Sequence, residues 1–217
     1  MSLVLASNSP RRKQLLALGG WTFTILPAEV DESPLPGESP GAYVLRLAEA
    51  KARCAAKSSE AESIVIAADT TVVDGGDILG KPADAHQAEA MLQRLRGHTH
   101  QVYTALAVFI PADDILLTDC CITDVPMREY SEEELRTYVS TGDPLDKAGA
   151  YAIQHPGFKP VTGLQGCYAN VVGMPLCHLV RTLHKLGIHP ETSIPQACQT
   201  SLQYACQVYP GVLDGNL

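Results

Sequence analysis

The chain has 217 residues, of which 46% are hydrophobic and 18% charged, as is ordinary for a globular unit with a sizeable core. No apolar run approaches the length of a membrane-spanning helix, and the net charge of −8 argues against general nucleic-acid binding, which needs a basic surface. An acidic protein can still bind a phosphate ligand if its few cations are gathered in one pocket.

The first part of the chain predicts strands and helices in alternation. Leu3–Ala6 is a short apolar run typical of a buried strand, and the Ser-Pro pair at 9–10 then caps and begins a helix. Trp21–Leu26 predicts a second strand. A long helix over Pro40–Lys57 places Lys51 on the same face as its apolar stripe, because residues three and four apart are neighbours on a helix.

The middle of the chain predicts a central strand and a long hairpin. The run Ser63–Val73 is rich in Ile and Val and turns at two glycines into a short return strand. A helix over Asp84–Leu95 follows, and Val102–Pro111 and Ile115–Met127 predict the two arms of the hairpin. Ser131 begins a further helix with a capping box.

The last part of the chain predicts shorter elements. Tyr151–Gln154 and Gly163–Tyr168 predict short strands, and Asn170–Leu186 predicts mostly helix. Residues 189–217 predict an extension whose short helix, within Pro195–Val208, docks on the body. The mixture of helices and strands around a long hairpin predicts the α/β class with a mixed sheet.

The cysteines and the start of the chain predict a cytoplasmic protein. The apolar run Met1–Ala6 is too short for a signal peptide, and the basic residues 11–13 follow it instead of preceding it. The seven cysteines cannot all pair within one chain and contain no Cys-x-x-Cys, so we expect reduced thiols. Cys120 and Cys121 lie in an apolar run, where we expect both to be buried.

The segment Ser7–Arg12 is the first candidate for an anion site. It joins a strand end to a helix start, where backbone N–H groups and the positive end of the helix dipole suit an anion. Ser7, Ser9, Arg11 and Arg12 add donors. The alternative is a capped helix with solvated arginines. However, cations at a helix N-terminus oppose the dipole, so this placement costs stability unless an anion offsets it.

Polar residues in the central strand are the second candidate. Asp69 and Thr70 interrupt an apolar run, and a carboxylate is expensive to bury unless it is paired or holds a metal. Asp69 is therefore a general base, a ligand for a hard cation, or the structural partner of a lysine. Lys51 and Lys81 are candidates to contact a phosphate. The alternative for Lys51 is a side chain that lies along apolar surface and reaches water, and for Lys81 an ordinary surface lysine beside a turn.

Two loops complete the candidates. The acidic loop Glu29–Glu32 offers Glu32 as a second metal ligand, or else a solvated acid. Small residues in Asp143–Gln154 would let the backbone approach a ligand closely, and Gln154 offers both a donor and an acceptor for a nucleobase. The alternative is a structural loop, and we expect Lys147 to pair with an aspartate within it.

These segments, in this order, resemble the Maf family of nucleotide pyrophosphatases. The matching strings lie at 5–12, 30–32, 50–52, 67–70, 80–82, 143–154 and 170–175. The resemblance runs from about Leu3 to Gly187, which predicts a Maf-like domain over residues 1–188 and an extension over residues 189–217. It implies a two-lobed α/β fold related to the inosine triphosphate pyrophosphatases, with a central cleft.

The resemblance also implies a reaction. A nucleoside triphosphate would be hydrolysed between its α and β phosphates with Mg²⁺ or Mn²⁺, which Asp69 and Glu32 would hold while Asp69 acts as the base. The family's specificity positions fall on Arg11, Thr70 and Gln154, and the form of this segment resembles the dTTP/UTP subfamily. The triphosphate would contact the remaining cationic and hydroxyl side chains: Ser7, Ser9, Arg12, Lys51 and Lys81.

Two departures from the family pattern bear on the base. Ala152 and the pair 155–156 stand on either side of Gln154, at positions where the family usually has glycine. Base selectivity is the property that these departures put in question.

The expected partners are a small-molecule nucleotide and, by the resemblance, a second copy of the chain in a homodimer, but neither nucleic acid nor a membrane. An alternative is a non-catalytic nucleotide-binding regulator of cell division or septum formation. The intact set of Asp69, Glu32, Lys51 and Lys81 argues against a dead site. A third reading is an enzyme of the same family specialised for another base.

Overall fold

The computed structural model of the protein describes residues 2–217, so residue 1, at which the predicted domain begins, lies outside the described residues. The strands are β1 (Leu3–Leu5), β2 (Phe23–Ile25), β3 (Ile64–Asp74), β4 (Asp77–Leu79), β5 (Thr99–Ile110) and β6 (Ile115–Pro126). The helices are α1 (Pro10–Ala17), α2 (Pro40–Ala56), α3 (Ala85–Leu95), α4 (Glu132–Ser140), α5 (Tyr168–Val172), α6 (Leu176–His184), α7 (Ile194–Leu202) and α8 (Tyr209–Leu213). Between residues 2 and 217, none of the helices has the length and apolar character needed to cross a membrane.

The six strands form one mixed sheet, in the order β2-β1-β3-β5-β6, with β4 paired to β3. β1 runs parallel to β2 and β3, whereas β3, β5 and β6 are antiparallel. The predicted α/β class with a mixed sheet is therefore confirmed. Because Leu5 of β1 pairs with Ile66 of β3, the residues that follow β1 run beside Asp69.

The core has three clusters that make two lobes. Helix α2 buries Leu47 against one face of the sheet, and α1 and α6 pack Leu16 and Leu179 against the other. The strands β3, β5 and β6 extend beyond β1, and their far ends form a third cluster with Leu92 of α3 and Leu135 of α4. The central cleft lies between the two lobes, where β3, β5 and β6 extend beyond the end of β1.

Two predicted strands are wrong. Residues 151–154 and 163–167 are irregular, and Tyr168 already begins α5. Within residues 2–217 the pairing nearest to them is an isolated bridge between Met127 and Val161. The backbone before the first segment is left-handed at Ala150, with φ of 62°. The chain then turns, and the N–H of Ala152 donates to the Tyr138 hydroxyl at 3.0 Å instead of to a strand.

One predicted helix is divided. Asn170–Leu186 is split into α5 and α6 at Gly173, where φ of 116° is unfavourable for any residue with a side chain. The short helix expected within Pro195–Val208 is α7, which begins at Ile194 and ends at Leu202, because Gln203 is left-handed. The prediction that Cys120 and Cys121 are both buried is wrong for one of them. Cys121 is buried but Cys120 is only half-buried, since successive strand residues face opposite sides.

Candidate active site

A cleft of about 460 Å³ lies between the two lobes. The end of β1, the start of α1, the middle of β3 and the C-terminal end of α5 form one side of it, and the loop 146–154 forms the other. All ten residues that the sequence singled out for the site line this cleft: Ser7, Ser9, Arg11, Arg12, Glu32, Lys51, Asp69, Thr70, Lys81 and Gln154.

Strand alternation separates the two polar residues of β3. Odd-numbered residues such as Ala67 face α2, so Asp69 does too, whereas Thr70 faces α1 and α5. Lys51, on the buried stripe of α2, meets Asp69 there: its Nζ lies 2.6 Å from Oδ1 of Asp69 and 2.6 Å from Oε1 of Glu32. The lysine thus bridges both carboxylates.

The two carboxylates are tuned in opposite directions. Burial raises the pKa of Asp69 above its ordinary value, and the charge and hydrogen bond of Lys51 offset this only in part. Burial also acts to raise the pKa of Glu32, but the hydrogen bond and charge of Lys51, aided by Lys81 and Arg12, outweigh it and lower the pKa. Asp69 is therefore the better proton acceptor, and Glu32 is the more firmly ionised.

Tyr43 holds the loop that carries Glu32. Its hydroxyl donates to the backbone oxygen of Glu32 at 2.8 Å. Burial, with the nearby charges of Asp69 and Glu32, raises the pKa of Tyr43 to about 12, so the hydroxyl keeps its proton as a donor. The sequence interpretation missed this residue. The available signal was its position on α2, two helical turns before Lys51 on the same face.

Arg12 is fixed by the protein. Its Nε donates to the oxygen of Gly173 at 2.9 Å and its Nη2 donates to Oγ1 of Thr70 at 3.1 Å. Thr104 donates its hydroxyl proton to the backbone oxygen of Asn170, and its Oγ1 lies 2.9 Å from Oγ1 of Thr70. Thr70 must therefore donate to Thr104, which leaves its hydroxyl able only to accept from a ligand.

Three other predicted residues are free to meet a ligand. Within residues 2–217, the side chains of Arg11, Lys81 and Gln154 make no hydrogen bond or ion pair to the protein. By contrast, Lys147 lies 3.0 Å from Oδ1 of Asp143 and 2.6 Å from Oδ1 of Asp146, which confirms its predicted structural pairing.

The side chains that line this cleft include five cations and four carboxylates, so the cleft is more positive than the acidic protein as a whole. Five lining side chains are cationic: Arg11, Arg12, Lys51, Lys81 and Lys147. The N-terminus of α1 adds its dipole, with Ser9 as the N-cap, as predicted. The site therefore suits an extended polyanion such as a triphosphate.

The donor set suits a divalent cation that the substrate helps to hold. Among residues 2–217, no three His, Cys, Asp or Glu side chains form a ready metal cage. Lys51 engages one oxygen of Glu32 and one of Asp69, which leaves the second oxygen of each carboxylate for a further ligand. Mg²⁺ is commonly held by one or two carboxylates together with water and substrate phosphates, and this pair fits that pattern.

The fold and the cleft define an α/β protein with a cationic, carboxylate-containing site for a phosphorylated small molecule. The chain belongs to the Maf family, because the family model described as Maf-like protein matches residues 2–186.

Two relatives match the sequence of this chain over nearly their whole length. The chain is 46% identical over 186 residues to a dTTP/UTP pyrophosphatase of Geobacter sp. (strain M21), covering 86% of this chain and 96% of the relative. It is 48% identical to a dTTP/UTP pyrophosphatase of Myxococcus xanthus (strain DK1622), covering 86% of this chain and 93% of the relative.

Solved structures are more distant. The Staphylococcus aureus Ham1 protein aligns with a TM-score of 0.45 and 15% identity, covering 74% of this chain and 80% of that one. A nucleoside-triphosphatase, dITP/XTP pyrophosphatase, from Mycobacterium abscessus aligns with a TM-score of 0.42 and 16% identity, covering 86% of this chain and 98% of that one. Scores at this level are too low to say anything of this chain's site.

Proposed function

We propose that this chain hydrolyses dTTP and UTP to the monophosphate and pyrophosphate by attack of water on the α-phosphorus. The observation that carries the proposal is Asp69, a buried carboxylate of raised pKa at the floor of a cation-rich cleft. The names of the two relatives support the same reaction and the same substrates.

In this mechanism Asp69 orients a water molecule and takes its proton as the oxygen attacks. The bond from the α-phosphorus to the bridging oxygen breaks, and pyrophosphate leaves with the bridging oxygen. Arg11 and Lys81, whose side chains make no hydrogen bond or ion pair within residues 2–217, would contact the phosphates. Arg12 would add its charge from a fixed position. Lys51 keeps the carboxylates apart and in place.

Glu32 and Asp69 would hold the divalent cation, Mg²⁺ or Mn²⁺, through the carboxylate oxygens that Lys51 does not engage. When bound, the cation neutralises charge on the phosphates and polarises the scissile bond. Tyr43 supports this role by holding the backbone of Glu32.

Base selection would rest on Gln154 together with Arg11 and Thr70. The departure at His155 points away from this region: its ring packs on that of Tyr138 at 4.7 Å, and its Nδ1 accepts the N–H of Phe158. Gln154 itself is exposed in the cleft. The His155 side chain therefore leaves Gln154 open to a base, and the names of the two relatives support a pyrimidine.

The bond that breaks is tested by hydrolysis of dTTP in ¹⁸O-labelled water, followed by mass spectrometry of both products. We expect pyrophosphate without label and a monophosphate that carries one ¹⁸O in its phosphate group. Label in pyrophosphate, or release of orthophosphate, would show attack at another phosphorus. Tight binding of dTTP without any product would favour the nucleotide-binding regulator.

A further inference from the structure

A row of hydroxyl groups runs from the cleft into the core beneath α5. Thr70 of β3 lies opposite Thr104 of β5, and their Oγ1 atoms are 2.9 Å apart. Oγ1 of Thr104 is in turn 3.0 Å from the backbone oxygen of Asn170. Thr104 is fully buried and cannot touch a ligand, whereas Thr70 is half-buried and lines the cleft. The mechanism proposed above gives Thr104 no role.

The backbone oxygen of Asn170 fixes the direction of this row. A carbonyl oxygen can only accept, and two oxygens 3.0 Å apart without a proton between them would repel, so Thr104 donates its single proton there. Thr104 can then only accept from Thr70, whose proton points into the protein. Nη2 of Arg12 donates to Oγ1 of Thr70 at 3.1 Å and uses one lone pair. Thr70 is left with one lone pair for a ligand and no proton.

Gly173 helps to keep this lone pair open to the cleft. A Cβ at Gly173 would lie 3.4 Å from Oγ1 of Thr70 and 3.6 Å from Nε of Arg12. Gly173 also lines the cleft, at the C-terminal end of α5. Because no side chain stands there, Thr70 presents an uncovered acceptor, and the group of the ligand that meets it must carry a proton.

Gln154 cannot choose between pyrimidines by itself. Its amide has both a donor and an acceptor, and across residues 2–217 no hydrogen bond to the protein fixes which of the two faces a base. Half a turn of the amide would suit cytosine as well as uracil. The direction of the Thr70 hydroxyl, in contrast, is fixed by the backbone of α5 through Thr104.

We propose that Thr104 is a positioning residue that sets base selectivity: it holds the Thr70 proton inside the protein, so that Thr70 accepts from the N3–H of uracil or thymine. This inference rests on the proposed function, in which Thr70 contributes to base selection. Uracil and thymine carry a proton on N3, whereas N3 of cytosine is an acceptor. Two acceptors that face each other both stay unpaired, which costs more than a matched hydrogen bond contributes. Thr104 thus disfavours cytosine without touching it.

The test compares UTP with CTP, which share the same sugar and triphosphate, by pyrophosphate release from the full chain. Thr104→Val removes the acceptor for the Thr70 proton, which can then turn towards the ligand. We expect the ratio of kcat/KM for UTP to that for CTP to fall about ten-fold, the size of one hydrogen bond. Thr104→Ser keeps the hydroxyl and should keep the ratio. An unchanged ratio in Thr104→Val would overturn the proposal.

Thr123→Val is the matched control. Thr123 is also a buried threonine, on the neighbouring strand β6, and its Oγ1 accepts from Nδ2 of Asn170 at 2.9 Å. In the described part of the chain no hydrogen bond joins it to Thr70, so the ratio should stay unchanged. Equal falls in both valine variants would show a structural effect and contradict the proposal. Equal losses for UTP and CTP in Thr104→Val would do the same, since they would place a sugar hydroxyl against Thr70.

A second measurement uses the unmodified chain and does not depend on the folding of a variant. UTP that is methylated on N3 has no proton there, so we expect its kcat/KM to be at least about ten-fold below that of UTP. Equal values would overturn the proposal. If the chain binds nucleotides without hydrolysing them, dissociation constants replace kcat/KM in every comparison. A lack of hydrolysis would therefore contradict the proposed function, whereas an unmoved ratio would contradict only the role of Thr104.

Discussion

The Nζ of Lys51 lies 2.6 Å from Oδ1 of Asp69, and the two side chains are only 11% and 8% exposed. A buried ion pair of this kind does little for stability by itself, since desolvation opposes the attraction. The raised pKa of Asp69 shows that the cost of burial prevails even with the lysine beside it. The pair is therefore better explained by chemistry in the cleft than by folding.

Asp69→Asn should lower kcat by about 10²–10⁴, the usual contribution of a general base, because the amide cannot take the proton of water. The fold should survive, since Lys51 keeps its contact with Glu32. Steady-state kinetics and circular dichroism measure the two effects. Full activity in this variant would remove Asp69 from the mechanism.

The same substitution should not destabilise the protein at neutral pH. A carboxyl group whose pKa is raised by folding favours the folded state below its unfolded pKa, and that advantage is lost as pH rises through the folded pKa. Once Asp69 is ionised, its buried charge is thus a cost that Asn avoids. Urea unfolding should give a midpoint at least equal to that of the unmodified chain; a clearly lower one would contradict this reading of the pair.

Lys51→Met should move the acidic limb of the pH–rate profile to higher pH. The lysine's charge and hydrogen bond lower the pKa of Asp69, so their loss leaves burial to raise it further. The rate should then fall earlier as pH decreases, because the base is protonated sooner. Lys57→Met is the matched control, because Lys57 is an exposed lysine at the end of the same helix. The acidic limb of its pH–rate profile should not move.

Removal of divalent cations with a chelator should abolish turnover, and Glu32→Gln should raise the Mg²⁺ concentration needed for half-maximal rate. An amide is a weaker ligand for a hard cation than a carboxylate. Glu29→Gln is the control, because Glu29 is an exposed acid in the same cleft that does not contact Lys51. The Mg²⁺ concentration that this variant needs for half-maximal rate should stay unchanged. Equal metal titrations for both variants would exclude Glu32 as a ligand.

The two arginines of the first motif should behave differently. Arg12→Ala leaves the oxygens of Gly173 and Thr70 without their donor, and the free energy of unfolding should fall by about 2 kcal/mol, as for other hydrogen bonds to charged groups. Arg11→Ala removes no such contact, so stability should change by less than about 0.5 kcal/mol while KM for the nucleotide rises. Denaturant titrations and kinetics on both variants decide this; equal losses of stability would contradict it.

Gln154→Ala should weaken the preference for pyrimidine nucleotides more than it lowers the rate. The side chain is exposed in the cleft and makes no hydrogen bond within residues 2–217, so its loss affects the ligand and not the fold. Competition between dTTP and dATP measures the preference. Gln196→Ala, an exposed glutamine on α7, is the control. An unchanged ranking of substrates would dismiss the role of Gln154.

Much of the site could be predicted because its residues sit on regular elements. Lys51 follows from the helical repeat of α2, and Asp69 stands out as a charge in an apolar strand. The contacts of Thr70 with Thr104 could not be predicted in the same way. They depend on the register of β3 with β5, in which Thr70 lies opposite Thr104, and register is set by the whole sheet.

The irregular part of the chain was the hardest to predict. Around Tyr151 the apolar pattern is typical of a strand, but the backbone turns there and buries Tyr151, whose hydroxyl lies 2.8 Å from Nε2 of His100. Tertiary contacts there outweigh local propensity. The division at residue 188, the homodimer and the cytoplasmic location stay predictions.

The most direct test of the central claim is pyrophosphate release from dTTP, UTP, CTP, dATP and GTP, each with Mg²⁺ and with Mn²⁺. We expect fast release from dTTP and UTP alone, and its loss in Asp69→Asn. Release from another nucleotide would keep the reaction and overturn the roles given to Thr70 and Gln154. No release from any nucleotide would contradict the proposed hydrolysis.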